Sequence, residues 1–353
     1  MKIAQVAPLC EAVPPKLYGG TERVVANLCN ALVELGHDVT LFASSESRTR
    51  ARLVPVRDQA LRLDATPLKS EVAAHLGMLS EVHRRHRQFD ILHFHTEMLQ
   101  FPAFEAQAHK CVTTLHGRLD IKDYPQLYAR WDQFGLVSIS DAQRLPLGHA
   151  NWLGTVPHGI AERQFPFQQR PQGGYLAFLG RISPEKRPDL AIRLARRAGL
   201  PLKIAAKVDK GDAQYFDSVV KPLLQEPQIE YVGEISDSRK ADFLGEASAL
   251  LFPIDWPEPF GLVMIEAMAC GTPTIAWNRG AVPEVIESGV SGFIVDSETE
   301  AEDAIARIPT LSRLAVRRAF ERSFTATVMA KSYLDVYRHL LVRRRPDRRE
   351  YGR

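Results

Sequence analysis

Short apolar runs alternate with longer amphipathic stretches along most of the chain. The runs before residue 165 read KIAQVAP, DVTLFAS, DILHFHT, KCVTTLHG and GLVSISD, and those after it read YLAFLGR, LKIAAKV, IEYVGE, ALLFPI, TPTIAW and GFIVD. Strands that alternate with helices are typical of parallel sheets. The polar stretch ERQFPFQQRPQGG, at 162–174, interrupts the alternation and indicates a linker.

This interruption predicts two Rossmann-like, doubly wound α/β domains, at 1–165 and 166–322, that face a central cleft. Ligands of such sheets bind at the carboxyl ends of strands where the strand order changes direction, and domain clefts are frequent binding sites. The remaining segment, 323–353, begins with a long helical pattern and ends in a basic tail. Its periodicity does not decide whether this helix packs back on the first domain.

Composition narrows the function classes. The chain has 353 residues, of which 45% are hydrophobic and 25% charged, as in ordinary globular proteins. The net charge of +3 is too small to indicate a nucleic-acid partner. The four cysteines are scattered without a CxxC pair, so neither a zinc site nor a disulfide framework is expected. Since no apolar run is long enough for a signal peptide or a membrane span, we expect a cytoplasmic protein.

The segment EPFGLVMIEAMACGTP, at 258–273, places Glu266 inside an apolar helical run. A carboxylate is almost never buried without a partner, because an unpaired buried charge costs several kcal/mol. Two kinds of partner are open for Glu266: a protein donor, such as an arginine or backbone N–H groups, or a ligand hydroxyl.

A second carboxylate, Glu258, precedes this helix. Pro259 and Gly261 disfavour a continuous helix from Glu258 to Glu266, so we expect Glu258 in a loop. The amides of residues 260–262 would then form a helix N-terminus, which favours phosphate. A phosphate bound there would lie between the two carboxylates, as a ligand composed of a sugar, phosphates and a second sugar requires.

The turn LGRISPEKRPD carries Arg181, Lys186 and Arg187 between a predicted strand and a predicted helix. Cations near a helix start oppose the helix dipole, and an anionic ligand would remove this conflict. The alternative is a set of solvent-exposed charges near Glu185.

Glycines and a histidine mark two further candidate positions. In YGGTER, Gly19 and Gly20 permit close approach of a ligand to the backbone, although a simple helix-start turn is the alternative. His116 ends the apolar run KCVTTLHG, where ligands of parallel sheets bind. A lone histidine is more often structural, and a structural role is expected for the other three histidines near strand ends, His93, His95 and His158.

The motifs together resemble a known family. YGGTERVV, GRISPEK and EPFGLVMIE, the last with glutamates at both ends, resemble, in this order along the chain, motifs of the retaining family 4 glycosyltransferases of the GT-B fold. The resemblance implies that Arg181 and Lys186 bind the donor pyrophosphate, that Glu258 binds the transferred sugar, and that Glu266 binds the ribose. It further places His116 near the reacting carbon, Gly19 and Gly20 near phosphate or acceptor, Val232 and Gly233 near the base, and the amides of Phe260, Gly261 and Leu262 at the donor.

The same resemblance implies an activity. A hexose would pass with retention from a UDP- or GDP-linked donor to a hydroxyl acceptor, which is a glycan, a lipid-linked molecule or a small molecule. The implied front-face mechanism requires neither a cofactor nor a metal, and the chain contains no Asp-x-Asp. Two alternatives remain: a sugar-nucleotide 2-epimerase of similar fold, and a non-catalytic nucleotide- or glycan-binding protein.

Two basic segments bear on the acceptor. VHRRHRQ, at 82–88, contains Arg84, Arg85 and Arg87 near a predicted helix end, and the tail RRRPDRREYGR occupies 343–353. A cationic last turn complements the helix dipole, and a basic tail is commonly a solvated end. The alternative is peripheral contact with anionic lipid at the inner membrane face.

Overall fold

The computed structural model describes residues 1–16 and 19–343 and divides the chain into two compact units. The first unit combines Met1–Gly159 with the chain from Ala326 onward, and the second spans Ile160–Thr325.

The division falls between Gly159 and Ile160, ahead of the position at 165 that the linker suggested. Ile160 already belongs to the second unit because it forms a bridge with Thr325 and donates its N–H to the carbonyl of Phe324 at 3.0 Å. The chain therefore leaves and re-enters the first unit at neighbouring points.

A seven-stranded parallel sheet forms the centre of the first unit, with the order β3-β2-β1-β4-β5-β6-β7. Its strands are β1 (Lys2–Val6), β2 (Asp38–Ser44), β3 (Arg52–Arg57), β4 (Ile91–Phe94), β5 (Cys111–Thr114), β6 (Gly135–Ser138) and β7 (Trp152–Thr155). The order changes direction between β1 and β4, where ligands of such sheets bind.

Helices and a phenylalanine-rich core complete this unit. The helices are α1 (Gly20–Glu34), α2 (Glu71–Arg85), α3 (Tyr124–Arg130), α4 (Asp141–Arg144) and, from the end of the chain, α13 (Ala326–Arg343). Phe42, Phe94 and Phe104 are fully buried in the core. Helix α13 packs against α1, and its Tyr333 and Tyr337 are also fully buried, so the C-terminal helix is an integral part of the first unit.

The second unit contains a six-stranded parallel sheet with the order β10-β9-β8-β11-β12-β13. Its strands are β8 (Leu176–Arg181), β9 (Leu202–Lys207), β10 (Ile229–Gly233), β11 (Ala249–Phe252), β12 (Thr274–Trp277) and β13 (Gly292–Val295). Its helices are α5 (Pro188–Ala198), α6 (Ala213–Tyr215), α7 (Lys221–Leu223), α8 (Asp237–Gly245), α9 (Leu262–Cys270), α10 (Val282–Val285), α11 (Glu298–Arg307) and α12 (Arg313–Ser323).

Both units thus begin with the strand order 3-2-1-4-5-6, which is the order of dinucleotide-binding sheets, and the predicted pair of Rossmann-like units is confirmed. Two strands, β3 and β7, were not predicted, and they are the two edges of the first sheet. Over the part of the chain that the structure describes, none of the helices combines the length and the apolar character needed to cross a bilayer.

Candidate active site

The direction of strand order in the second unit changes between β8 and β11, and two charged loops begin there. Arg181 is the last residue of β8, and Lys186 and Arg187 follow before α5 begins. The loop after β11 leads through Asp255 and Glu258 to α9, and the Asp255 N–H donates to the Glu185 carbonyl at 2.8 Å. Residues of both predicted donor motifs therefore lie close together where the strand order of the second unit changes direction.

Lys186 and Glu258 contact each other at this point. The Lys186 ammonium forms an ion pair with Glu258 Oε2, and the indole Nε1–H of Trp256 donates to the same oxygen at 3.0 Å. The ammonium also lies 4.9 Å from the centroid of the Trp256 ring and 5.5 Å from that of Phe252. Glu258 is only 9% exposed, and these donors compensate its buried charge.

The backbone of Glu258 is fixed by a close approach of the chain near Gly280. The N–H of Ala281 donates to the Glu258 carbonyl at 2.9 Å. A Cβ added at Gly280 would overlap the backbone of Glu258, and Gly280 has φ of +55°, a conformation that favours glycine. Glycine is therefore required here for the position of Glu258.

Helix α9 begins at Leu262, as Pro259 and Gly261 predicted. Its N-cap, Gly261, has φ of +85° and offers no side chain to accept a bond from the first-turn N–H groups. Those amides have no partners within the helix and form the positive end of its dipole. The arrangement provides donors for a phosphate directly after Glu258.

Sequence reasoning missed Ser183, which lies between Arg181 and Lys186. Its side chain is buried, and no hydrogen-bond partner for its hydroxyl is found among the described residues. The signal was a polar side chain inside the motif GRISPEK, although a serine there is also compatible with an ordinary turn.

Arg181 has several acidic neighbours at longer distances. Its guanidinium nitrogens lie 3.6 Å from Glu185, 3.6 Å from Asp209 and 3.9 Å from Asp212. These separations correspond to a loose, partly solvated cluster, from which the guanidinium can move toward a stronger anion.

Glu266 is 2% exposed, and a cation of the protein is among its partners. Lys240 of α8 lies 3.3 Å from Glu266 Oε1, and the same ammonium lies 3.5 Å from Asp237. The protein itself therefore compensates this buried carboxylate, and the ribose-binding role of Glu266 stays a prediction.

Val232 and Gly233 end strand β10 at the edge of the sheet, where β9 separates them from β8. Gly233 has φ of +78°, and the strand register shifts between Tyr231 and Gly233. Both residues lie at the carboxyl edge of the sheet, as does Arg181. Their contact with the nucleotide base stays a prediction.

His116, in the first unit, lies in a row of buried polar groups. Its Nε2 is 2.8 Å from Nδ1 of His95, and Nε2 of His95 is 2.8 Å from Oε1 of Gln5. The His116 ring stacks on His158 with a centroid distance of 5.2 Å and an interplanar angle of 21°. Burial lowers the pKa of His116 to about 3, so its ring is neutral at ordinary pH.

The other three histidines are fully buried or nearly so, and burial also lowers the pKa of each well below its ordinary value. The contact of His95 with His116 and Gln5 was not foreseen. A signal existed, because His93 in β4 and His95 directly after it alternate with apolar residues, and Gln5 lies between apolar residues of β1.

The glycine pair in the first unit has a packing role. Gly19 is the N-cap of α1, and a Cβ there would lie 2.7 Å from Cβ of Pro15 and 3.2 Å from a carboxylate oxygen of Glu22. Gly20 is the first residue of α1. Local packing already explains a glycine at 19, so contact of this pair with a ligand stays a prediction.

The basic segment at 82–88 covers the end of α2 and the turn after it. Arg84 and Arg85 both pair with Glu81, and the exposed Arg87 follows in a 3-10 turn. The cationic last turn complements the helix dipole, as one of the two interpretations proposed. The basic tail beyond 343 lies outside the described residues.

No cluster of three or more His, Cys, Asp or Glu side chains suited to a metal ion occurs within residues 1–16 and 19–343. Where the strand order of the second unit changes direction, the charged residues form pairs of a cation with a carboxylate.

Two Rossmann-like units, one with cations and a helix N-terminus at the carboxyl edge of its sheet, are the architecture of the GT-B class of glycosyltransferases. Comparison with known proteins agrees with this class. The family model "Glycosyltransferase Family 4" matches residues 18–145, and "Glycosyl transferases group 1" matches residues 161–319. The chain belongs to glycosyltransferase family 4, and it is an enzyme, a hexosyltransferase.

Individual relatives are similar over nearly the whole chain. A D-inositol 3-phosphate glycosyltransferase of Frankia alni is 31% identical over 92% of this chain and 95% of its own. A phosphatidyl-myo-inositol mannosyltransferase of Mycobacterium leprae is 25% identical over 96% of both chains. The crystal structure of AviGT4, a glycosyltransferase involved in avilamycin A biosynthesis, has a TM-score of 0.74 and 26% identity, and the match covers 97% of this chain and 98% of that one.

Proposed function

We propose that the enzyme transfers a hexose from a UDP- or GDP-linked sugar to a hydroxyl acceptor, with retention at the anomeric carbon and without a metal or another cofactor. The observation that supports this most strongly is the grouping of Arg181, Lys186, Glu258 and the start of α9 where β8 and β11 adjoin. Cations and helix amides suit a diphosphate, and a buried carboxylate beside them suits sugar hydroxyls.

Donor binding proceeds by an exchange of partners at Lys186. The diphosphate attracts the Lys186 ammonium and the Arg181 guanidinium from their carboxylate partners, since a diphosphate carries more charge than either carboxylate. Glu258 keeps the N–H of Trp256 as a donor and accepts hydrogen bonds from hydroxyls of the transferred hexose. Glu266 binds the ribose, and Val232 and Gly233 lie near the base.

Retention follows from a front-face transfer. The bond between the anomeric carbon and the phosphate oxygen breaks, and the acceptor oxygen bonds to the same face of that carbon. The acceptor proton passes to the departing phosphate oxygen, so no protein carboxylate acts as a nucleophile. Arg181, Lys186 and the amides of residues 260–262 stabilise the charge that accumulates on the diphosphate. Glu258 and His116 position the sugar, and Gly19 and Gly20 lie beside the phosphates or the acceptor.

The acceptor is a hydroxyl of a glycan, a lipid-linked molecule or a small polyol. The names of two relatives include inositol, in one as D-inositol 3-phosphate and in the other as the lipid phosphatidyl-myo-inositol. Myo-inositol phosphate and phosphatidylinositol are therefore the first acceptors to test beside simple sugars.

The donor proposal is tested by thermal shift and by transfer assays with UDP-, GDP- and ADP-sugars, each with EDTA and with added Mg²⁺. A ligand that binds the native state raises the melting temperature. We expect stabilisation by one nucleotide class and equal activity with and without the chelator. Arg181→Ala should lower kcat/KM by about 100-fold or more, as loss of a transition-state charge contact does. The control Arg196→Ala, which removes an exposed pair with Glu226, should retain activity. Full activity of Arg181→Ala, or a strict requirement for Mg²⁺, would refute the proposal.

We also propose that the enzyme acts in the cytoplasm as a peripheral protein at an anionic membrane surface, to which α2 binds. Val72 and Leu76 of α2 are 64% and 60% exposed, and Leu68, in the loop before this helix, is also exposed. The exposed Arg84 lies in the last turn of the same helix, where it pairs with Glu81, and the exposed Arg87 follows in the 3-10 turn. Exposed apolar side chains at one end of α2 and arginines at the other suit lipid tails and anionic headgroups.

Flotation with vesicles tests this contact. The wild type should float with vesicles that contain phosphatidylglycerol and less with neutral phosphatidylcholine. Serine at positions 68, 72 and 76 together should abolish flotation, whereas the control Leu145→Ser, at a leucine that is 80% exposed, should not. Equal flotation of the triple variant and the wild type would exclude this surface.

A further inference from the structure

A continuous row of hydrogen-bonding groups leads to His116 from the interior of the first unit. Tyr337 of α13 lies 3.1 Å from Nε2 of Gln5, whose Oε1 lies 2.8 Å from Nε2 of His95. Nδ1 of His95 in turn lies 2.8 Å from Nε2 of His116. The groups come from α13, β1, the end of β4 and the loop after β5, so the row is built by tertiary packing.

Only two arrangements of the ring protons are compatible with the hydrogen bonds of this row, and they run in opposite directions along it. A neutral imidazole has one N–H donor and one acceptor nitrogen, so the role of each ring follows from that of its neighbour. If Gln5 accepts from Nε2–H of His95, then Nδ1 of His95 accepts from Nε2–H of His116, and Nδ1 of His116 has a lone pair. If Gln5 were flipped to donate to His95, every proton would shift and Nδ1 of His116 would carry the hydrogen.

The environment of Nδ1 of His116 decides between the two directions. This atom is buried, and no hydrogen-bond partner for it exists among the described residues. A buried N–H donor without an acceptor is rare in proteins and costly, whereas an unpaired acceptor is tolerated more often. The first direction is therefore favoured.

We propose that Gln5 and His95 are positioning residues that hold His116 as its Nε2–H tautomer, with Nδ1 as an acceptor for a substrate hydroxyl. The tautomer itself is independent of the enzyme's activity, whereas the contact with a hydroxyl rests on the proposed function. The stacking of His116 on His158 fixes the plane of the ring, so the lone pair of Nδ1 has a defined direction. The opposite tautomer would present an N–H to the same hydroxyl and would require that hydroxyl to accept.

The tautomer is measured directly by nitrogen-15 NMR of the full chain with labelled histidine. Protonated and unprotonated ring nitrogens have well-separated chemical shifts, and His116→Asn assigns the signals by their disappearance. We expect an unprotonated Nδ1 and a protonated Nε2 in the unliganded enzyme. A protonated Nδ1 would overturn the proposal, whatever the enzyme's activity.

The positioning role is tested with two substitutions of Gln5. Gln5→Leu removes the acceptor for His95 and releases the tautomer, while Gln5→Glu keeps an acceptor oxygen at the same place. We expect kcat/KM per folded molecule to fall about tenfold in Gln5→Leu, which is the loss of roughly one hydrogen bond, and to recover in part in Gln5→Glu. The tautomer signal of His116 should change only in Gln5→Leu.

The outcomes separate this inference from the donor proposal. If no nucleotide sugar binds, the donor proposal fails, and the NMR spectrum still confirms or overturns the tautomer. If transfer occurs but Gln5→Leu matches the wild type in both kcat/KM and the His116 spectrum, the positioning role is wrong. If Gln5→Leu does not fold, His95→Phe provides the same two measurements.

Discussion

Arg313, the first residue of α12, donates hydrogen bonds to five oxygens of the second unit. Its Nε and Nη1 bind the carbonyls of Gln168 and Ala247 at 2.7 and 2.9 Å. Its Nη2 lies 2.8 Å from the carbonyl of Gly245, 3.3 Å from that of Cys270 and 2.8 Å from the hydroxyl of Thr272. A single guanidinium thus caps the C-terminal ends of α8 and α9 and holds the linker after Ile160.

Replacement of Arg313 by methionine keeps much of the side-chain volume and removes every one of these donors. Hydrogen bonds to a charged group contribute about 1.5–3 kcal/mol each, and a buried acceptor left without a donor costs about 1–3 kcal/mol. Arg313 is partly exposed, so water can replace some of the lost donors. We therefore expect a destabilisation of about 3–5 kcal/mol, which for a domain of this size lowers the melting temperature by roughly 6–20 °C.

Thermal and urea unfolding of the purified variant measure this loss. Arg313→Lys keeps the charge but not the planar set of donors, and it should fall between the wild type and the methionine variant. The matched control is Arg318→Met, at an exposed arginine of the same helix. The reasoning is refuted if the methionine variants at 313 and 318 melt within about 2 °C of each other, a shift that corresponds to less than roughly 1 kcal/mol.

Three further predictions concern single residues, two of the second unit and one, Glu97, of the first. Gly280→Ala should displace the backbone of Glu258 and lower kcat/KM by about tenfold or more, whereas Gly289→Ala, which shares the positive φ but has open space, should lose only about 1 kcal/mol of stability in urea unfolding. Trp256→Phe removes the N–H donor to Glu258 and keeps a ring; we expect about a tenfold loss in kcat/KM, and unchanged kinetics would contradict a role for that bond. Burial raises the pKa of Glu97 from 4.5 to about 7, so its contribution to stability is present below pH 4.5 and is lost as the pH rises through 7. Glu97→Gln should accordingly melt higher than the wild type at pH 8 and lose this pH dependence; an equal Tm at that pH would contradict the shift.

The strands that could be predicted and those that could not differ in their burial. Every interior strand of the first sheet is buried over nearly its whole length, because helices cover both faces of a doubly wound sheet. The missed strands β3 and β7 are edges, and most of their residues are only partly buried. RLVPVR and WLGT therefore lack a strong apolar run, and the proline in β3 further weakens a strand prediction.

The site shows a related contrast, between features that the local sequence determines and contacts between distant parts of the chain. The start of α9 at Leu262 follows from Pro259 and Gly261, which act locally on the backbone. Lys240, a partner of Glu266, lies on a different helix, and no local rule selects a lysine of α8 over another cation. Likewise, the contact of Gln5 with His95 depends on the register of β1 against β4, which is set by the packing of the whole sheet. Sequence reasoning located the residues that act through the backbone and missed pairings made across the fold.

The two units have the same strand order but different chemistry where that order changes direction. In the second unit the residues are the ions Arg181, Lys186 and Glu258, and a charged ligand can replace their present partners. In the first unit they are neutral, because burial keeps His95 and His116 uncharged and Gln5 has no charge. A neutral network contributes little to the stabilisation of a departing diphosphate, but it fixes direction, since each proton position determines the next. The first unit is therefore suited to orient hydroxyl groups, and the second to bind and stabilise charge.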